Sequence, residues 1–371
     1  MAENIEENIQ EEVTPDNMNE VESPEIEIEA SMDEEQEDQE PQMTDEQSEA
    51  VEFFQNLAET MDDRVLTSLA MELVADYKKD KESRSDWEKS YISGLDLLGF
   101  KYDNASGPFL GASSVTHPLL AEAVTQFQSQ AYKELLPSDG PVRAQVVGNS
   151  TEEREQQAER VKEFMNYMIM DQMEEYTPEF DQMLFYLPLA GSTFKKVYYD
   201  ELMDRAVSKF IPAEDLVVPY YATDLKDCER ITHVLKMSEN DILKKQRAGF
   251  YRDIDILPSR KDDSDIQDKY DQLEGSSNPS DTDYQFNVLE MHVDLDLEEF
   301  EMDSDEKNIK VPFIVTLDEG SGEILSIYRN YDMKDEKQRR KDYFVHYKFL
   351  PGLGFYGFGL IHMIGGLSRT A

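Results

Sequence analysis

Two adjacent lysines, Lys195 and Lys196, stand inside a strand-like run that follows a helix end and the stop residue Gly191, in the stretch Phe185–Asp200. A lysine becomes a nucleophile or base when its surroundings lower its pKa. Here no second reactive type is spaced around the pair, so both read as strand-surface or subunit-contact charges that an acidic neighbouring subunit could pair with. A second candidate is Gly352-Leu-Gly354-Phe-Tyr-Gly357, which satisfies G-x-G-x-x-G after a strand pattern and before a helix pattern. A dinucleotide site needs that context. Pro351 intrudes, however, Phe355 and Tyr356 fill both variable positions, no βαβ alternation surrounds the loop, and the ribose-binding acid would fall beyond residue 371. Gly352, Gly354, Gly357 and Gly359 are therefore read as a hinge before a helix, with nucleotide binding kept as an alternative.

The remaining chemistry-bearing types do not assemble into a motif. His117, His233, His292, His346 and His362 never fall at ligand spacing such as H-E-x-x-H, and His292 and His346 sit in strand-like runs that suit a structural role. Asp303–Glu306 lacks the glycine an EF-hand turn requires. There is no Walker loop, G-x-S-x-G elbow or Cys/His constellation. Carboxylate pairs select nothing in a chain with 81 acidic residues. The expectation is a protein that is not an enzyme, with no catalytic, cofactor-binding or metal-binding set and no cofactor.

Charge narrows the partners. The net charge is −45; residues 1–63 hold 24 acidic residues and no Lys or Arg, leaving 57 acids against 36 bases over the rest, a net of −21. Such a body does not bind DNA by neutralising phosphates, which needs clustered Lys and Arg; it stays soluble and repels a polyanion. Cys228 is the only cysteine, which excludes an internal disulfide and a multi-Cys zinc site and suits a reducing cytoplasm. The N-terminus carries no basic and apolar secretion signal. Positions 349–368 contain no charged residue, long enough for a membrane span, but six are Gly, and Pro351 and His362 interrupt the run. A buried or subunit-packed segment is the preferred reading, with membrane activity an alternative.

The elements that must position these residues make an α+β chain. Residues 1–43, acidic and poor in aromatics, are expected to be a disordered tail. A mainly helical part covers 44–190. Thr44 and Gln47 have capping-box spacing, and Val51, Phe54, Ala58, Met61, Val65, Leu69 and Leu73 recur at helical steps. A second helix runs from about Arg84 through Trp87 and Tyr91 to Leu98, and Thr116-His-Pro opens a third. Val142–Val147 reads as a short strand, Ser150 with Glu153 as a capping box opening a helix through Val161 and Met165, and Thr177-Pro178 as the start of the helix before Gly191. A β-rich part covers 191–350. Thr193–Tyr199 and Arg205–Phe210 form a hairpin, Arg230–Met237, Val288–Leu297, Ile309–Leu317, Ile324–Tyr328 and Asp342–Phe349 are strands, and polar residues 258–284 are a long exposed insertion. Residues 351–371 are a Gly-rich joint and the start of a helix with no cap behind it, which suggests the front part of a longer polypeptide.

Several blocks in this order resemble the portal proteins of short-tailed bacteriophages: Trp87–Gly99 (W…Y-x-x-G-x-x-L-L-G); Thr116–Gln128 running on to Glu134-Leu-Leu-Pro and Gly140-Pro-Val; Pro178–Asp200; Phe210–Tyr220; Glu229–His233; Gly249-Phe-Tyr251; and Val345-His346 with Gly352–Ser368. Together they span roughly residues 84–371, and their specificity lies in number and order. The acidic head and the 258–284 insertion fall outside them.

The resemblance implies the N-terminal and wing portion of a portal, leading toward a stem helix at the C-terminal end, with the clip and much of the channel beyond Ala371. It implies a homo-oligomeric ring, usually of twelve subunits, at one capsid vertex of the virion, assembled in the host bacterial cytoplasm. The implied partners are other copies of the chain, the packaging motor (terminase), head-completion or tail adaptors, capsid and scaffolding protein, and double-stranded DNA that passes through without sequence-specific binding; no membrane partner is implied. Another virion assembly protein is the remaining alternative.

Overall fold

The computed structural model describes residues 51–98, 118–201, 203–256, 265–275, 285–297 and 310–370. The acidic tail, the Thr44–Gln47 capping box, His117 and the Asp303–Glu306 run lie outside them. All described residues belong to one compact unit, Glu46–Ala371.

Eight helices and eight strands are named among the described residues. The helices are α1 (Asp63–Ser83), α2 (Ser85–Leu95), α3 (Leu119–Leu135), α4 (Glu152–Tyr167), α5 (Tyr176–Ala190), α6 (Glu239–Arg247), α7 (Asp265–Glu274) and α8 (Leu360–Thr370). The strands are β1 (Ser192–Asp200), β2 (Arg205–Pro212), β3 (Leu216–Val217), β4 (Arg230–Ser238), β5 (Gln285–Leu295), β6 (Val311–Asp318), β7 (Ile324–Arg329) and β8 (Phe344–Lys348). They build an α+β fold with two antiparallel sheets, ordered β2-β1-β8 and β3-β4-β5-β6-β7.

The larger sheet takes its cover from α1. Leu66, Ala70, Leu73 and Tyr77 lie at steps of three and four, so one face of the helix is apolar, and it closes over Leu289, Met291, Val315, Leu317 and Ile327. The spacing from Val51 to Leu73 predicts one helix, but residues 54–62 interrupt it with a turn and a short 3-10 segment. Two polar residues cause the break. Asp62 caps α1, its side chain accepting the Arg64 N–H at 2.8 Å. Buried Asn56 reaches β7 like a missing strand, donating to the Leu325 carbonyl (3.2 Å) and accepting the Ile327 N–H (3.0 Å). The Arg252 N–H donates to the same Leu325 carbonyl at 2.8 Å, so the edge of β7 is met by a side chain and a loop rather than by a strand.

Helices α2, α3, α5 and α8 pack together through Tyr91, Leu95, Leu120, Val124, Leu189 and Ile361. Helix α7 joins them and corrects the exposed insertion: Ile266, in the middle of residues 258–284, is buried in that same core. Its polar flanks disguised it, because three apolar side chains suffice to seat a ten-residue helix. The predicted strand Val142–Val147 is also corrected. Among the described residues no strand pairs with it, and the backbone of Val142 is held by the side chain of Asn166. An alternating pattern supplies a face but not a partner. At α4 the N-cap is Thr151, with no side-chain cap, while Ser150 bonds Glu155 rather than forming a capping box with Glu153.

Candidate functional site

The sequence candidates meet at the corner between α5 and β1. Gly191 ends α5 in the left-handed region (φ 87°), its N–H bonded to the Leu187 carbonyl at 2.9 Å. A side chain would be strained there, and space forbids one as well: a Cβ would fall on the backbone of Gly357, Phe358 and Gly359. The relation is mutual, since a Cβ on Gly357 would strike the Gly191 carbonyl, and one on Gly359 the Leu189 carbonyl. Ser192 Oγ accepts the Gly357 N–H at 2.7 Å, the Phe349 N–H donates to the Gly191 carbonyl at 3.0 Å, and Leu350 pairs with Phe358. Gly352 is crowded by the Tyr356 carbonyl. Of the four glycines expected to form a hinge, Gly354 is the one with open space around it. The other three permit close backbone approach, which no sequence pattern distinguishes from flexibility.

The rest of the loop is bound by aromatics. Tyr356 stacks on Trp87 (ring centroids 4.7 Å), and Trp87 on Tyr91 (5.5 Å). Phe355 and Phe194 flank His346, at 4.7 and 4.4 Å between ring centroids. Burial holds His346 down at about 3, so it is a neutral packing ring. Arg84, almost fully buried, donates to the carbonyls of Ala213 (3.0 Å) and Leu216 (2.8 Å) and to Tyr356 Oη (3.1 Å). It ties the joint between α1 and α2 to the β2–β3 connection and to the glycine loop. No sequence signal marks this arginine, because its partners are main-chain carbonyls distant in sequence.

The two lysines leave β1 on opposite sides, as successive residues of a strand must. Both are corrected from strand-surface or subunit-contact charges to internal ones. Lys195 is buried beneath α5, its Nζ 4.1 Å from the Tyr176 ring centre and 4.9 Å from that of Phe180. Burial lowers it to about 8, against the opposing pull of Glu179 and Glu175. Lys196 points to the larger sheet, where its Nζ lies 2.5 and 2.6 Å from the two oxygens of Glu290. His292 Nε2 is 2.9 Å from Glu290 Oε1, and His292 Nδ1 is 3.5 Å from Asn330 Nδ2.

This cluster joins the sheets by charge. Burial works to raise the Glu290 carboxyl, but the Lys196 ammonium and the two histidines hold it well below the carboxylate range. Burial keeps His292 low and His233 at about 3, despite the favourable charge of Glu290. An ionised Glu290 needs a donor, so His292 carries its proton on Nε2 and presents Nδ1 to the Asn330 amide. His233 Nδ1 and Asn330 Oδ1 find no hydrogen-bond partner among the described residues. Lys196 is engaged by both carboxylate oxygens, an arrangement that fixes position and leaves no free amine to attack.

Beside the cluster lies a cavity of about 300 Å³, lined among others by Asp224, His292, Arg340, Tyr343 and His346. Arg340 is committed to structure, donating to the carbonyls of Cys228 (2.5 Å) and Leu225 (2.6 Å). Burial pushes the Cys228 thiol up to about 12, which makes it inert as a thiolate. Among the described residues no group of three or more His, Cys, Asp or Glu could hold a metal ion, and no helix is long and apolar enough to cross a membrane. Around the G-x-G-x-x-G loop, the preceding strand β8 runs antiparallel to β1, unlike the parallel unit of a dinucleotide fold.

No protein-family model matches the chain, and no curated protein matches it.

Proposed function

We propose that this chain is a structural subunit of a bacteriophage portal ring, the conduit for genome packaging and ejection and the docking platform for the packaging motor and tail adaptors. The observation that carries the reading is spatial. The blocks that resemble portal proteins are far apart in sequence, yet they converge on one junction. Trp87 and Tyr91 of the first block stack with each other and with Tyr356 of the last. A Cβ on Gly94, in the same first block, would overlap Ile361 of α8. Leu120 and Val124 of the second block and Leu189 of the third share that core. Gly191 then meets Gly357 and Gly359.

Self-assembly has its own support. Helix α4 buries no residue, and Val161, Phe164 and Tyr167 are each more than half exposed. An isolated helix of this length is marginal in water, so a partner outside the chain suits it. A closed ring then follows from one heterologous contact repeated by rotation. The acidic body would let DNA slide without sticking, and the motor would supply the energy.

Negative-stain imaging and light scattering of the purified protein test the proposal. A closed ring with a central channel, of mass near a dozen chains, is the expected result. A stable monomer, or rings without a channel, would overturn it; tight DNA binding that weakens with salt would remove the sliding role.

A further inference from the structure

Helix α7 is held to the body by a hydrogen-bonded chain that ends on a buried carboxyl. Tyr91 Oη is 2.9 Å from Tyr270 Oη, and Tyr270 donates to Glu214 Oε1 at 2.7 Å. Glu214 Oε2 is buried and has no partner among the described residues. The guanidinium of Arg84 bonds the main-chain carbonyl of Glu214 at 2.5 Å instead of its carboxylate. An ionised Glu214 would thus be a buried charge with one carboxylate oxygen left without a partner, which is costly; a protonated one keeps Tyr270 and loses the charge.

We propose that Glu214 is a proton-operated latch for α7: protonated, it holds Tyr270 and the helix docked; ionised, it loosens them. The latch stands apart from the portal reading and does not depend on it.

The groups facing Glu214 pull both ways. Burial beneath Tyr91 and Tyr186, from α2 and α5, and the like charge of Asp215 favour the proton. The hydrogen bond from Tyr270 of α7 and the charge of Arg84, at the joint of α1 and α2, favour the ionised form, but Arg84 shares its charge with Glu88 at 2.8 Å. Lys236 on β4 bonds Gln267 of α7 at 2.7 Å and acts on Asp215. Lys269 of α7 pairs with Asp96, and Glu274 lies at the helix end, acting on Tyr186. Burial first, then Asp215, raises Glu214 from 4.5 to about 7. The sign follows from linkage. The docked state holds the proton longer than an exposed carboxyl does, so docking is strongest at or below the ordinary value, weakens as pH rises from there to about 7, and then levels off. A shift of that size, taken whole, changes the docking equilibrium by at most on the order of 100-fold.

Amide hydrogen exchange on the intact protein reads the latch, expressed as protection factors for α7 against α3 at pH 5 and pH 8. Protection of α7 is expected to fall by up to on the order of 100-fold at the higher pH while α3 is unchanged. In Glu214→Gln the step should vanish. In Tyr270→Phe, α7 should be less protected already at pH 5. An unchanged α7 in the native chain between the two pH values overturns the proposal, as does the same step surviving in Glu214→Gln, or full protection of α7 in Tyr270→Phe.

Discussion

Helices α4 and α5 follow one another, span 16 and 15 residues, and differ in almost every physical respect. Helix α5 buries Phe180, Met183, Leu184, Leu189 and Ala190, tolerates Pro188 near its end, and stops at a glycine that no other residue could replace. Helix α4 buries nothing, has no side-chain cap, and runs into a π-helical turn at Met168–Gln172. Both carry apolar residues at helical spacing. The pattern therefore says that a helix has a face, and only the surrounding chain says whether that face is covered. In this molecule α5 is the anchor of the junction, and α4 buries none of its own residues against the described part of the chain.

The comparison can be broken at its strongest point. Gly191→Val should cost about 4 kcal/mol or more, since it combines a strained φ with a clash against backbone that cannot move aside. Urea denaturation would measure it, and a loss below about 1 kcal/mol would mean the corner is not locked. Leu189→Ala, at a fully buried position of α5, should cost about 3 kcal/mol by leaving a cavity; the same assay applies.

Lys196→Met, just beyond the corner, strands Glu290 without its ammonium and should cost about 2 kcal/mol at neutral pH. This prediction also carries a pH signature. The Glu290 carboxyl is depressed in the folded chain from an ordinary value of 4.5, so its contribution is present above that value and is lost as pH falls below it. In the variant that acid-side loss should flatten, which denaturation melts across pH 3 to 6 would reveal. The smallest effect belongs to α4. Phe164→Ser should change the stability of the single chain by less than about 0.5 kcal/mol while reducing self-association in light scattering. A large destabilisation with unchanged assembly would erase the contrast between the helices.

Much of the architecture was legible in the residues. The end of α5, the hairpin of β1 and β2 and the strands β4 to β8 follow from periodicity, turn residues and glycine, all of them local rules. The site was less legible. Lys195 and Lys196 were visible as residues but not as a pair divided between two faces, because their partners, Tyr176 and Glu290, lie in other elements. Asn56 and Glu214 carried no signal, and Arg84 was visible only as the start of a helix. Each works on main-chain or side-chain groups that become neighbours only after folding.

Sequence by itself determined the α+β class, the acidic charge, and the absence of a thiol or histidine motif. These are properties of composition and of spacing within a few residues, where the backbone geometry leaves few choices. Tertiary structure alone decided that three of the four loop glycines are packing contacts, that α7 is docked on a buried carboxyl, that Lys196 binds the two sheets together, and that α4 buries none of its residues against the described part of the chain. Those outcomes depend on which distant surfaces meet, and burial, desolvation and charge pairing act only once they have met.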